Sequence, residues 1–150
     1  MILSKKETSI LIEIIFSILF LFIFLPFFYE NQKTSFTIGD LSKKIIEIII
    51  FAVAYFSITY TFLEVYFKKN IVEDERNDMI NSKSYKLGYL LYELSLFVFI
   101  GLLINSSIDY NGGVIFFVIL LTLVVSLIKS MYQFYLHRAI KNGIKKQFER

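Results

Sequence analysis

Four charged side chains interrupt long apolar stretches, and they are the residues best suited to chemistry. The carboxylates of Glu13, Glu64 and Glu93 and the ammonium of Lys129 each lie in a separate stretch. Carboxylates around one ammonium cannot all ionise cheaply in a medium of low polarity, so such a group could bind a cation or exchange protons. A structural interpretation is also open. Long side chains near a polar interface can reach it at small cost, and Lys129 could pair with one Glu to fix helix packing.

Small and polar side chains accompany each charge at steps of three or four residues, which places each set on one helix face. The four sets are Ser9, Glu13 and Ser17; Ala54, Ser57, Thr61 and Glu64; Gly88, Tyr92 and Ser95 beside Glu93; and Thr122, Ser126, Lys129 and Gln133. Small and hydroxyl residues allow helices to approach and to form hydrogen bonds with one another. The simplest arrangement turns all four faces inward and predicts one polar cluster of the four charges.

The stretches that carry these charges are long enough to cross a lipid bilayer. The chain of 150 residues is 56% hydrophobic, and its mean hydropathy is +0.62. An apolar helix of about 20 residues spans the hydrocarbon core. The predicted spans are residues 9–28, 45–67, 87–104 and 114–136, with a charged cytoplasmic loop at 68–86 and a basic tail at 137–150. This pattern predicts an all-α fold, an integral membrane four-helix bundle in a single transmembrane domain.

The distribution of Lys and Arg predicts the orientation of the four spans. If the N-terminus is cytoplasmic, twelve Lys and Arg side chains lie in cytoplasmic segments and three lie in outer loops. Positive charge is concentrated on the cytoplasmic side of membrane proteins, so both termini are predicted to be cytoplasmic in the cell (inner or plasma) membrane. In this orientation the four charges fall in the cytoplasmic third of the bilayer.

The composition excludes several kinds of chemistry. The chain has no Cys and a single His, which excludes disulfides and thiolate metal sites and leaves no basis for a His-based metal site or a Ser-His-Asp triad. We therefore predict that the protein is not an enzyme and has no metal site or cofactor. Attraction to anionic lipid accounts for the basic tail, so no nucleic-acid partner is predicted.

The cytoplasmic loop carries charges with helical spacing. Arg76, Ile80, Lys83 and Leu87 recur at steps of four, three and four residues, which predicts a helix that continues into the third span. Acidic residues at its start favour the helix dipole. The alternative is a docking surface for a cytoplasmic partner. Its candidate residues are Asp74, Glu75, Arg76, Asp78 and Lys83.

The segment from Asp74 to Ser84, continuing to Tyr89, together with the layout of four spans, resembles a group of uncharacterised small bacterial and archaeal multi-pass membrane proteins. Their cytoplasmic loop reads approximately D-E-R-D-x-x-I-x-x-K-[AS] just before the third span. Here Asn77 stands in place of the second Asp of that pattern. The resemblance implies a four-span membrane protein and carries no known activity.

Two functions are compatible with these features. The first is a non-enzymatic accessory, regulatory or immunity-type protein that acts through helix packing and its charged cytoplasmic loop. Its partners would be the lipid bilayer and either another membrane protein or further copies of itself. The alternative is a small proton- or cation-coupled transporter that uses the inner-leaflet carboxylates.

Overall fold

The computed structural model describes residues 4–33, 35–67, 75–104 and 111–148, with side chains described from residue 78 in the third range and up to residue 139 in the last. Its helices are α1 (Lys5–Ile23), α2 (Leu25–Glu30), α3 (Ile38–Tyr66), α4 (Glu75–Ile104) and α5 (Asn111–Phe148). Four segments are long and apolar enough to cross a membrane, namely Lys5–Glu30, Ile38–Tyr66, Asp78–Ile104 and Asn111–Ala139. The predictions of an all-α fold and of four long apolar helices are confirmed.

The first apolar segment consists of two helices that meet at Phe24. The Ser4 hydroxyl accepts a hydrogen bond from the Glu7 amide, and the Glu7 carboxylate accepts one from the Ser4 amide, so a capping box starts α1. Pro26 has no N–H and its ring clashes with the preceding turn, so it interrupts a continuous helix. The break places Pro26 in the first turn of α2, where the missing donor costs nothing.

Helix α3 begins at Ile38, seven residues before the predicted start of the second span. Thr37 caps it by accepting a hydrogen bond from the Asp40 amide at 3.2 Å and donating one to the Asp40 carboxylate at 2.6 Å. Because the cap satisfies free amides of the first turn, the helix includes the polar residues that precede the apolar stretch.

The helices pack in the order α3, α1, α5, α4. Helix α5 packs against α1, α2 and α4, whereas α3 packs mainly against α1, with Lys44 also over the Phe27 ring of α2, and does not approach α4 within the described ranges. At the end of the molecule away from Lys5, the hydrophobic core contains Phe20, Phe24, Phe28, Phe116 and Leu123. The bundle is therefore an open row with α1 and α5 at its centre and α3 and α4 at its edges.

Helix α4 packs on α5 through residues spaced by four. Ile80, Ser84 and Gly88 are buried along this line. The Gln133 amide of α5 donates a hydrogen bond to Asn81 Oδ1 at 2.9 Å across the same interface. The small side chains at 84 and 88 allow the two helices to approach closely.

Asn111 joins the start of α5 to the segment that precedes α3. Its side-chain oxygen accepts a hydrogen bond from the Phe36 amide at 2.7 Å, and its side-chain nitrogen donates one to the Phe36 carbonyl at 3.1 Å. We expect Asn111→Ala to lower the free energy of unfolding by about 1 kcal/mol, because two solvent-exposed hydrogen bonds are lost. Thermal unfolding in detergent micelles would measure this loss. Asn111→Asp keeps the acceptor only and should fall in between, and native stability in both variants would contradict the role.

Candidate functional site

A polar cleft lies on α1 between α3 and α5. Glu13 is half-buried in this cleft, and Ser17, one turn further along α1, is buried beside it. The Ser130 hydroxyl of α5 donates a hydrogen bond to the Glu13 carboxylate at 3.3 Å. The remaining lining residues are Phe16, Phe56, Tyr60, Ser126 and Lys129. The cleft thus combines one carboxylate, several hydroxyls and three aromatic rings.

Lys129 also lines this cleft, but its ammonium is held by α4. The Nζ atom lies 5.2 Å from the centroid of the Tyr85 ring. The stem of the side chain crosses Gly88 so closely that a Cβ at residue 88 would lie 3.2 Å from Lys129 Cδ. Lys129 and Glu13 therefore border one cleft without forming an ion pair within 4 Å in the part of the chain that the structure describes.

The other two charges lie elsewhere, so the structure does not bring the four predicted residues into one cluster. Glu64 forms an ion pair with Lys5 at 2.6 Å, and its side chain is 68% exposed. Glu93 is exposed on α4, where its carboxylate interacts with the Tyr89 hydroxyl one turn earlier. Glu13 and Lys129 share a cleft as expected. The prediction that Glu64 and Glu93 join them is wrong.

The orientation of α3 explains why Glu64 is absent from the cleft. Ala54, Ser57 and Thr61, the small and polar residues that were expected to face inward with Glu64, are all exposed. The aromatic face of α3 packs against α1 instead, with the rings of Phe16 and Phe56 centred 4.6 Å apart. Aromatic rings bury more area than small polar residues do, so they determine which face of α3 meets its neighbour.

Hydrogen bonds from tyrosines reinforce this contact between α3 and α1. The Tyr55 hydroxyl donates to the Ile12 carbonyl at 2.9 Å, and the hydroxyls of Tyr60 and Ser9 lie 3.4 Å apart. Ser9, Glu13 and Ser17 thus face neighbouring helices, as predicted for α1. The set on α5 is divided, since Thr122 is exposed whereas Ser126, Lys129 and Gln133 are half-buried.

Within the charged segment 68–86, the described residues 75–86 are helical. Helix α4 begins at Glu75 and runs without a break to Ile104, which confirms the prediction of a helix that continues into the third span. The side chains of Asp78 and Lys83 are exposed, as a docking surface requires. Asp74 lies outside the described residues, as do the side chains of Glu75 and Arg76.

The aromatic residues of the cleft and the Ser130 hydroxyl were not among the predicted site residues. Phe56 and Tyr60 are four residues apart, so their spacing could have placed both on one face of α3. Ser126 and Ser130 have the same spacing on α5. Rings and hydroxyls are common in apolar stretches whereas charges are rare, so the charges dominate the polar pattern of the sequence.

Comparisons of the chain with protein families, with curated proteins and with solved structures gave no match. The functional assignment therefore depends on the geometry of the chain itself.

Proposed function

We propose that the chain is a multi-pass protein of the cell membrane, with both termini cytoplasmic, that acts as a non-enzymatic accessory or regulatory protein. It would do so by packing the outer face of α4 against another membrane protein. The observation that carries this proposal is the exposure of Glu93 within a helix long and apolar enough to cross a membrane.

An exposed carboxylate at this position would be costly in lipid. A charged side chain costs about 2.5 to 3.5 kcal/mol at the centre of a transmembrane helix and less toward the interface, the side on which Glu93 is predicted to lie. The Tyr89 hydroxyl interacts with Glu93, and apolar side chains on the same face are exposed, with Leu90 57% and Phe97 76% exposed. A partner helix that offers a cation or a hydrogen-bond donor would remove much of this cost and cover the apolar area.

The chemistry of Glu93 favours a different protein over a second copy. In a two-fold dimer about the membrane normal, a residue close to the axis meets its own equivalent at the same depth, as Glu93 would if the interface were centred on it. Two Glu93 carboxylates would then face each other and repel. A heterologous partner with a Lys, Arg, Ser or Asn at this depth avoids that repulsion.

The alternative function, a proton- or cation-coupled transporter, gains less support from this geometry. A transport path through the four charges requires them to share one chamber, whereas Glu64 pairs with Lys5 and Glu93 lies on the outer face of α4. The two functions predict different consequences for variants of Glu93, so they can be separated by experiment.

We expect a photo-crosslinking residue at position 90 or 97 to capture one heterologous membrane protein in native membranes. The same residue at position 58 of α3, where Ile58 is also 57% exposed, serves as the control. Glu93→Leu should reduce the crosslink about tenfold, because a hydrogen bond to a charged group is lost. Glu64→Leu should leave it unchanged.

The proposal would be wrong if positions 90 and 97 crosslink only to other copies of the chain. It would also be wrong if Glu93→Leu leaves the heterologous crosslink at its native level.

A further inference from the structure

We propose that the cleft around Glu13 binds an organic ammonium ion. The cleft has a volume of about 470 Å³ and is bounded by α1, α3 and α5. This volume lies within the range of about 300 to 1,000 Å³ that is usual for small-molecule sites. The proposal does not depend on the partner proposed for α4, because Glu93 takes no part in the cleft; α4 enters only through Tyr85 and Gly88, which position Lys129.

Aromatic rings supply the walls that an organic cation prefers. The Phe16 and Phe56 rings are centred 4.6 Å apart, and the Phe56 and Tyr60 rings 5.8 Å apart, so the rings pack on one another and the ligand would lie against them rather than between them. The faces of such rings attract ammonium groups, and the attraction strengthens where water is excluded. All three residues line the cleft.

The Glu13 carboxylate supplies the charge that the ligand would neutralise. Its described partner is the Ser130 hydroxyl, at 3.3 Å, and no described cation lies within 4 Å. A half-buried carboxylate without a counter-ion is costly in an apolar setting, so binding of a cation there is favoured.

The position of Lys129 keeps the site open for an external cation. Lys129 is the obvious internal counter-ion, but its stem lies against Gly88 and its ammonium lies over the Tyr85 ring. Because Gly88 has no side chain, the stem of Lys129 has room to pass across α4 at this point. Helix α4 therefore holds Lys129 in a position where it does not neutralise Glu13.

The donor set favours an organic cation over a metal ion. Calcium and magnesium take six or more oxygen ligands, whereas the cleft offers one carboxylate and a few hydroxyls. Across the described residues, no three His, Cys, Asp or Glu side chains are grouped to hold a metal. The rings and the single carboxylate match a ligand with one positive charge and apolar substituents.

The test compares two probes of equal shape on the purified full chain in lipid nanodiscs. Benzyltrimethylammonium carries the positive charge, and 2,2-dimethylpropylbenzene is its neutral carbon isostere. Ligand-observed NMR can measure the dissociation constants of both. We expect the ammonium to bind about tenfold or more tightly than the isostere, since cation–π and ionic attraction act on the charged probe alone.

Variants of two carboxylates test whether Glu13 is the residue that binds the ammonium probe. We expect Glu13→Gln to weaken binding of the ammonium about tenfold, because the ionic attraction is removed while the shape is kept. Glu64→Gln is the matched control and should bind as the native chain does. Equal affinity for the two probes, no measurable binding of the ammonium, or native affinity in Glu13→Gln would each overturn the proposal. The probe comparison needs no variant, so it remains decisive if Glu13→Gln misfolds.

Discussion

Phe28→Ala should lower the free energy of unfolding by about 3 kcal/mol or more, the largest loss that we expect from a single truncation. Phe28 is 1% exposed, and its side chain packs within the core formed by α1, α2 and α5. Its ring lies 5.4 Å from that of Phe27 and 6.5 Å from that of Phe36, measured between centroids. Truncation would leave a cavity that neither lipid nor neighbouring side chains fill readily.

Phe22→Ala is the matched control for this variant. Phe22 lies in the same apolar segment, but it is 72% exposed, so its removal opens no cavity. We expect a change within about 0.5 kcal/mol for this surface substitution. Unfolding of both variants in detergent, followed by circular dichroism, would compare them. Equal losses would mean that the aromatic core does not stabilise the fold.

Gly88→Leu should separate α4 from α5. A Cβ at residue 88 would already lie 3.2 Å from Lys129 Cδ and 3.3 Å from Lys129 Cγ, so a branched side chain has no room. Overpacking of this kind costs about 1 to 3 kcal/mol. Gly88→Ala should cost less, because the atoms that it meets belong to a flexible lysine stem that can shift slightly.

Gly101→Leu provides the control on the same helix. A Cβ at residue 101 meets no atom within 4 Å, so a larger side chain there projects into open space. A disulfide between cysteines introduced on α4 and α5, measured by its rate of formation, would report the distance between the helices. The expected order is slow formation in Gly88→Leu and native rates in Gly101→Leu. If the disulfide forms at the native rate in both variants, Gly88 is not a close contact between α4 and α5.

The sequence could predict the elements of this fold because length and hydropathy depend only on neighbouring residues. The last three apolar stretches each form one helix, the first forms two that meet at Phe24, and the described residues 75–86 of the charged segment continue the third span. The break before Pro26 likewise follows from its missing N–H and its ring. These features follow from local backbone chemistry and need no knowledge of tertiary contacts.

The orientation of the helices could not be predicted in the same way. In apolar stretches almost every face is hydrophobic, so polarity does not distinguish the inner face from the outer one. The face that α3 turns toward α1 depends on Phe16, a residue on another helix, whose ring packs against that of Phe56. Glu64 likewise pairs with Lys5, whose nearness to it appears only when α1 and α3 are packed together.

The composition of the cleft also depends on tertiary contacts that the sequence pattern does not indicate. The sequence predicts that Glu13 and Lys129 lie at a similar depth in the bilayer, and the two residues border one cleft. The residues that make the cleft distinctive are aromatic, and in a chain with 17 Phe and 10 Tyr no single ring stands out in the sequence.

The order of the helices in space has a consequence for synthesis of the chain. Helix α5 follows the other helices in sequence, yet it lies at the centre and makes the contacts that hold α4 in place. Until it leaves the ribosome, α1 and α3 can form a pair, but α4 has no described neighbour to pack on. The nascent protein would therefore expose α4 until α5 arrives, and premature termination near residue 111 would yield a product that quality-control proteases can recognise.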